Sequence, residues 1–121
     1  MIIGLHHVQI TIPRGAEPQA REFYCGLLGL KEVPKPDVIA ATGGFWLDTG
    51  VHLVHLGTED GVDRAATKAH VAYEVTSLDE WRSRLAAAGV ASSDSIPLPG
   101  YHRLKFRDPF GNRIELMHRV D

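Results

Sequence analysis

The sequence predicts an α+β fold: two βαβββ modules related by a pseudo-twofold axis, forming a cupped mixed sheet with helices on the outer face. Three observations predict it. Several short stretches alternate apolar and polar residues, as half-buried strands do. Two apolar stripes have helical spacing. The order of these signals in residues 1–57 (module one) recurs in residues 68–121 (module two), across a polar linker at 58–67. At 121 residues the chain has the length of a single domain. That is long enough to bury a core without disulfides or a structural metal.

In residues 5–12, Val8, Ile10 and Ile12 alternate with His7, Gln9 and Thr11, a half-buried strand. Pro13, Gly15 and Pro18 end it and open a helix. Ala20, Phe23, Tyr24, Leu27 and Leu28 form its buried stripe, and Gly29 suits its C-terminal cap. Short β-like stretches follow near 30–34, 38–42 and 44–48, then a firmer strand at 51–56. In the second half, Val71, Tyr73 and Val75 alternate with His70, Ala72 and Glu74 across residues 69–76. Ser77-Leu-Asp-Glu80 is a capping box. Leu78, Trp81, Leu85 and Ala88 make the helical stripe that Gly89 ends. Strands are expected at 90–96, 101–107 and 112–118, the last two joined by the turn Asp108-Pro-Phe-Gly-Asn112.

A single offset of 63 relates the halves. It carries His7 to His70, Ile12 to Val75, Gly26 to Gly89, and Val51-His52-Leu53 to Ile114-Glu115-Leu116. His7 and His70 then match on the first strands, and His52 and Glu115 on the last. They alternate with Val8 and Ile10, Val71 and Val75, Val51 and Leu53, and Ile114 and Leu116, so strand parity puts all four on the face away from the helices. There they would line a shared concavity. Imidazole and carboxylate donors of this kind suit Zn²⁺, Ni²⁺, Mn²⁺ or Fe²⁺. His7, His70 and Glu115 are the expected metal ligands. His52 is a fourth ligand, an acid–base group or a structural residue. Tyr101, Arg103 and Lys105 share one face of the penultimate strand. They are candidates to recognise a carboxylate, phosphonate or phosphate, against the alternative of a solvated charged face. Phe45 and Trp46 are pocket wall or core. Cys25 reads as an inert thiol, and His6, His55, His102 and His118 as structural or surface residues.

Charge and composition exclude other classes. Thirteen Lys and Arg against fifteen Asp and Glu give a formal charge of −2, with no basic field for nucleic acid or an anionic membrane. One cysteine excludes an intrachain disulfide and multi-cysteine zinc or iron–sulfur sites. No apolar run approaches the ~20 residues of a membrane span. The N-terminus lacks the basic start and cleavage site of a signal peptide, so a cytoplasmic protein is expected. Seven histidines raise the expectation of a metal or acid–base site.

Four motifs carry a resemblance: Leu5-His-His-Val8, Arg21-Glu-Phe-Tyr-Cys-Gly-Leu-Leu-Gly-Leu30, Lys68-Ala-His-Val-Ala72 and Asp108-Pro-Phe-Gly-Asn-Arg-Ile-Glu-Leu116. In this order, over nearly the whole chain, they resemble the vicinal oxygen chelate superfamily. That group includes glyoxalase I, fosfomycin-resistance transferases, methylmalonyl-CoA epimerase, extradiol dioxygenases and bleomycin-resistance proteins. The resemblance implies paired βαβββ modules around one divalent ion (Ni, Zn, Mn, Co or Fe), a small-molecule substrate and a homodimer. His7 and His70 match the first-strand ligands, and Glu115 the last-strand carboxylate. His52 matches the place where glyoxalase I has a glutamate and the epimerase a glutamine. Ile96-Pro-Leu-Pro-Gly-Tyr101 lacks the potassium-binding loop of the fosfomycin transferases. The implied activity is that of a glyoxalase-like, metal-dependent lyase or isomerase, which stabilises an oxyanion or enediolate with Glu115 or His52 moving the proton. The alternatives are a metal-free sequestering protein of the bleomycin-resistance type and a small extradiol-type dioxygenase.

Overall fold

Two four-stranded mixed sheets with few helices make this an α+β protein. The computed structural model describes residues 1–120. It divides into two units, Met1–Val62 and the chain from Asp63 onward, so the boundary falls within the polar segment 58–67. Among the described residues no helix is long and apolar enough to cross a membrane.

The first unit contains β1 (His7–Ile12), α1 (Glu17–Arg21) running into a π-helical stretch (Glu22–Leu27), β2 (Lys31–Val33), β3 (Phe45–Asp48) and β4 (Leu53–Thr58). The second contains β5 (His70–Val75), α2 (Leu78–Ala87), β6 (Ser92–Asp94), β7 (Tyr101–Arg107) and β8 (Arg113–Arg119). Both sheets have the same plan. The first strand pairs parallel with the last, and the last two pairings outward are antiparallel, giving β1-β4-β3-β2 and β5-β8-β7-β6. Parallel neighbours need a long crossover, which the helix and two intervening strands provide.

Alternation decides which face is buried. In unit one, Ile12, Val54, Leu56, Phe45 and Leu47 join Ala20, Phe23 and Tyr24 from the helix. The Arg21 guanidinium lies 4.7 Å over the Phe45 ring, which places the helix on that face. In unit two, Leu104, Phe106, Ile114 and Leu116 join Leu78 and Leu85. Each such aliphatic or aromatic side chain contributes about 1.5–3 kcal/mol by leaving water. Ser77 caps α2, accepting from the Glu80 N–H at 3.5 Å.

The structure corrects three expectations. Residues 38–42 are not a strand but part of a 3₁₀ turn, Asp37–Thr42. Pro36 enters it, and the Lys35 ammonium ties its far end by donating to Thr42 Oγ1 (2.9 Å) and to the Gly43 carbonyl (2.7 Å). The strand expected at 90–96 contracts to β6. The strand expected at 51–56 begins two residues later, at Leu53, because a turn holds the backbone before it. There Asp48 Oδ1 accepts from the Gly50 N–H (2.7 Å), Thr49 Oγ1 accepts from the His52 N–H (3.0 Å), and the Thr49 N–H donates to the His52 carbonyl (2.9 Å).

That shift breaks the constant offset of 63. It holds between β1 and β5, where His7 pairs with Leu53 and His70 with Arg113. The pairing partners themselves differ by 60, since 113 − 53 = 60. The helix ends agree with the new value. Gly29 and Gly89, both at positive φ (77° and 73°), are the equivalent C-terminal residues, and Gly26 is not. Unit one therefore carries three extra residues between its first strand and its helix end. The π-helical stretch, with its Leu28 N–H to Phe23 carbonyl bond of 2.9 Å, lies in that interval.

Gly44 sets the approach of β3 to β4. Its φ is +77°, and a Cβ there would fall on the Leu56 carbonyl oxygen and lie 2.9 Å from its carbon. Gly61 has nearly the same φ (+76°) but open space around it. Gly61→Ala is therefore expected to cost about 1–2 kcal/mol for the left-handed backbone alone. Gly44→Ala should cost about 1–3 kcal/mol more, for the overlap. Denaturant unfolding checks this, and equal losses at the two sites would refute it.

Candidate metal centre

In unit two the face away from α2 carries His70, Arg103, Lys105 and Glu115. Glu115 sits between Ala72 on β5 and Lys105 on β7, and is only 2% exposed. Its two oxygens have different partners. Oε1 accepts from Arg103 Nη1 at 2.9 Å. Oε2 has no hydrogen-bond donor and lies 3.3 Å from His70 Nε2.

The state of His70 follows from its other nitrogen. Nδ1 lies 2.9 Å from the Lys68 carbonyl oxygen, which can only accept, so Nδ1 carries the proton. In the neutral imidazole, Nε2 then presents a lone pair to a carboxylate oxygen. Two lone pairs at 3.3 Å call for a cation between them, either a proton or a metal ion. Two ligands each about 2.0–2.2 Å from one ion lie about 3–3.5 Å apart, so the pair has the separation of shared ligands. A histidine whose remote nitrogen donates to a backbone carbonyl is the usual support for such a ligand. The donor set fits a divalent transition ion. Among the described residues no three His, Cys, Asp or Glu side chains converge closely enough to hold an ion by themselves.

In unit one the equivalent face carries His7, Gln9, Trp46 and His55. His55 is 5% exposed and sandwiched: its ring stacks on His7 at 3.9 Å (15° between planes) and on Trp46 at 3.8 Å (2°). Its Nε2 is buried with no hydrogen-bond partner. His7 Nδ1 lies 2.9 Å from His6 Nδ1. His55 pairs with Gln9 as Glu115 pairs with Ala72, so His55 occupies in β4 the register position of Glu115 in β8.

This corrects the placement of His52. It lies exposed in the turn before β4 and does not match Glu115. The tandem Val51-His-Leu-Val-His-Leu56 offers two registers three residues apart, and an odd slip exchanges the faces. His55, read from the sequence as a structural or surface residue, lies on the His7 face. The signal was available in Asp48-Thr-Gly50, whose side chains hold the following backbone in a turn.

Other candidates are placed as follows. Phe45 is core, whereas Trp46 faces His55. Arg103 has partners within its own unit: besides Glu115 it donates from Nε (3.1 Å) and Nη2 (2.7 Å) to the Ile96 carbonyl. Lys105 is half-buried opposite Glu115. The Tyr101 ring lies under the Arg119 guanidinium at 5.0 Å. Burial pushes the Cys25 thiol up, the reverse of an activated cysteine.

Residues 4–116 match the family model described as the Glyoxalase/Bleomycin resistance protein/Dioxygenase superfamily. A glyoxalase family protein from Bacillus anthracis has 38% identity and a TM-score of 0.90, over 99% of this chain and 98% of that one. A fosfomycin resistance protein from Listeria monocytogenes, as a mutant complexed with Mn(II) and 1S,2S-dihydroxypropylphosphonic acid, has 19% identity and a TM-score of 0.79, over 99% and 95%. A glyoxalase/dioxygenase from Nostoc punctiforme has 18% identity and a TM-score of 0.79, over 98% and 92%. No curated protein matches the sequence.

The stacked histidine predicts an acid response. Burial first, then the charges of His7, His6 and Lys35, lower the His55 pKa from its usual 6.5. Below pH 6.5 the unfolded chain takes up a proton that folded His55 resists, so protonation favours unfolding. The contribution is complete above 6.5 and is lost as pH falls toward the folded pKa. The Tm of metal-free protein is expected to fall with pH over this interval, and less steeply in His55→Gln. Parallel profiles would show that His55 is not the group responsible.

Proposed function

Since the chain belongs to the glyoxalase/bleomycin resistance protein/dioxygenase superfamily, we propose that it is a metal-dependent enzyme of glyoxalase-like type, acting on a small oxygenated substrate. The observation that carries this reading is the pair formed by solvent-accessible His70 and buried Glu115, their facing atoms 3.3 Å apart with no donor on Oε2. His70 and Glu115 would hold the ion. When bound, the ion would act as a Lewis acid that balances charge developing on a substrate oxygen, as in a lyase or isomerase.

The chain's own groups divide the remaining work. The Lys68 carbonyl keeps the His70 proton on Nδ1, leaving Nε2 as a donor pair. Arg103 holds Oε1, so that Oε2 is the oxygen on offer. Lys105, across the strand from Glu115, supplies positive charge for an anionic substrate group. His55 takes the place first assigned to His52. Burial and the neighbouring positive charges lower its pKa, which favours the neutral imidazole. The reading includes a homodimer, as the family resemblance implies.

Metal content tests it. Tag-free protein reconstituted with Fe²⁺, Ni²⁺, Mn²⁺ or Zn²⁺ and desalted is expected to keep close to one ion per chain, measured by mass spectrometry. Glu115→Gln and His70→Gln should lose most of it. Protein that retains none of the four ions would overturn the enzyme reading.

A further inference from the structure

We propose that Arg103 is a positioning residue that makes Glu115 a one-oxygen ligand, and so sets the site's preference for a small transition ion over calcium. The inference rests on the metal reading above and deepens it.

A carboxylate can bind an ion through one oxygen or both. Calcium takes six to eight oxygens at about 2.3–2.6 Å and gains from a two-oxygen carboxylate. Transition ions complete their shells with fewer, shorter bonds. In this chain Oε1 is already occupied by the Nη1 donor at 2.9 Å. Arg103 cannot simply turn away, because Nε and Nη2 grip the Ile96 carbonyl at 3.1 and 2.7 Å. The planar guanidinium thus spans two fixed acceptors, one on β8 and one in the segment before β7. Its side chain is 20% exposed and that of Glu115 3%, so little water is available to replace the bond.

Register makes the arrangement specific. The direct cross-strand partner of Glu115 is Lys105, whereas Arg103 faces Met117, two residues along. Arg103 reaches diagonally to Glu115 while also holding Ile96. An ammonium is a point charge and cannot bridge both acceptors in one plane. Oε1 keeps a second lone pair, but an oxygen already bonded to a guanidinium N–H is the poorer second ligand, so two-oxygen binding must share or weaken the Arg103 bond. Calcium forfeits more by that constraint than manganese does. The repulsion between the guanidinium charge and any divalent ion is common to both, so it cancels in the ratio of their affinities.

The test uses metal-free full-length protein and titration calorimetry with Mn²⁺ and with Ca²⁺. Arg103→Met is expected to bind Mn²⁺ still, but with its preference for Mn²⁺ over Ca²⁺ reduced about tenfold or more from wild type. A merely structural role would weaken both ions together, and an unchanged ratio overturns the proposal. Glu115→Gln separates the two levels. If it loses Mn²⁺ while the Arg103→Met ratio stays at the wild-type value, the metal site stands and the Arg103 proposal fails. If it keeps Mn²⁺, both fail. Infrared spectra of Ca²⁺-saturated wild type, with Glu115→Gln subtracted, cover the case in which Arg103→Met does not fold. The widely split stretches of a one-oxygen carboxylate support the proposal, and the narrow splitting of a two-oxygen one overturns it.

Discussion

Each unit depends on the parallel pairing of its first and last strands. That pairing brings the beginning and end of a unit side by side, and everything between them must return across one face of the sheet. The face that receives the helix takes the aliphatic residues, such as Val54 and Leu56 in β4 and Ile114 and Leu116 in β8. The other face is left to residues that the core rejects. In this way His70 comes to lie beside Glu115, and His7 beside His55, although 45 positions separate the first pair and 48 the second.

Glu115 is the costly member of this arrangement. A carboxylate that is 2% exposed has lost its hydration and must be balanced where it sits. Arg103 balances one oxygen and the imidazole of His70 faces the other. Removing one partner of a buried ion pair typically costs about 3–5 kcal/mol, because the other charge is left uncompensated. Plain stability would be better served by an apolar residue between Ile114 and Leu116. A buried carboxylate with one satisfied oxygen and one unsatisfied oxygen instead suits the cation-binding role proposed for it.

The two units treat the same register position differently. Unit two places a charged carboxylate there, held by a cation and a histidine. Unit one places His55, held by no hydrogen bond at Nε2 but by stacking on both faces. Burial and neighbouring positive charge lower its pKa, so it is kept neutral where Glu115 is kept close to a cation. The duplicated fold therefore presents a neutral nitrogen donor in one unit and an anionic oxygen donor in the other. A proton-transfer group and a ligand differ in the same way.

Unit two was legible from sequence in its faces. Val71, Tyr73 and Val75, Leu104 and Phe106, and Ile114 and Leu116 alternate without ambiguity, so His70, Arg103 and Glu115 follow on the opposite face. Unit one was less legible. The tripeptide Val-His-Leu occurs twice in succession, and both copies satisfy strand alternation. The choice between them falls to hydrogen bonds that the Asp48 and Thr49 side chains accept from backbone N–H groups, which hold the first copy in a turn. Periodicity also does not reveal that Lys35 ties residues 37–42 into a 3₁₀ turn, or that Arg103 grips Glu115 rather than reaching outward. The sequence by itself determined the duplicated βαβββ order and the polarity of each strand face, because these follow from local alternation. Only tertiary structure decided that His55 stands where Glu115 does, and which oxygen of Glu115 remains open. Register and side-chain partnership are set between strands, by atoms far apart along the chain.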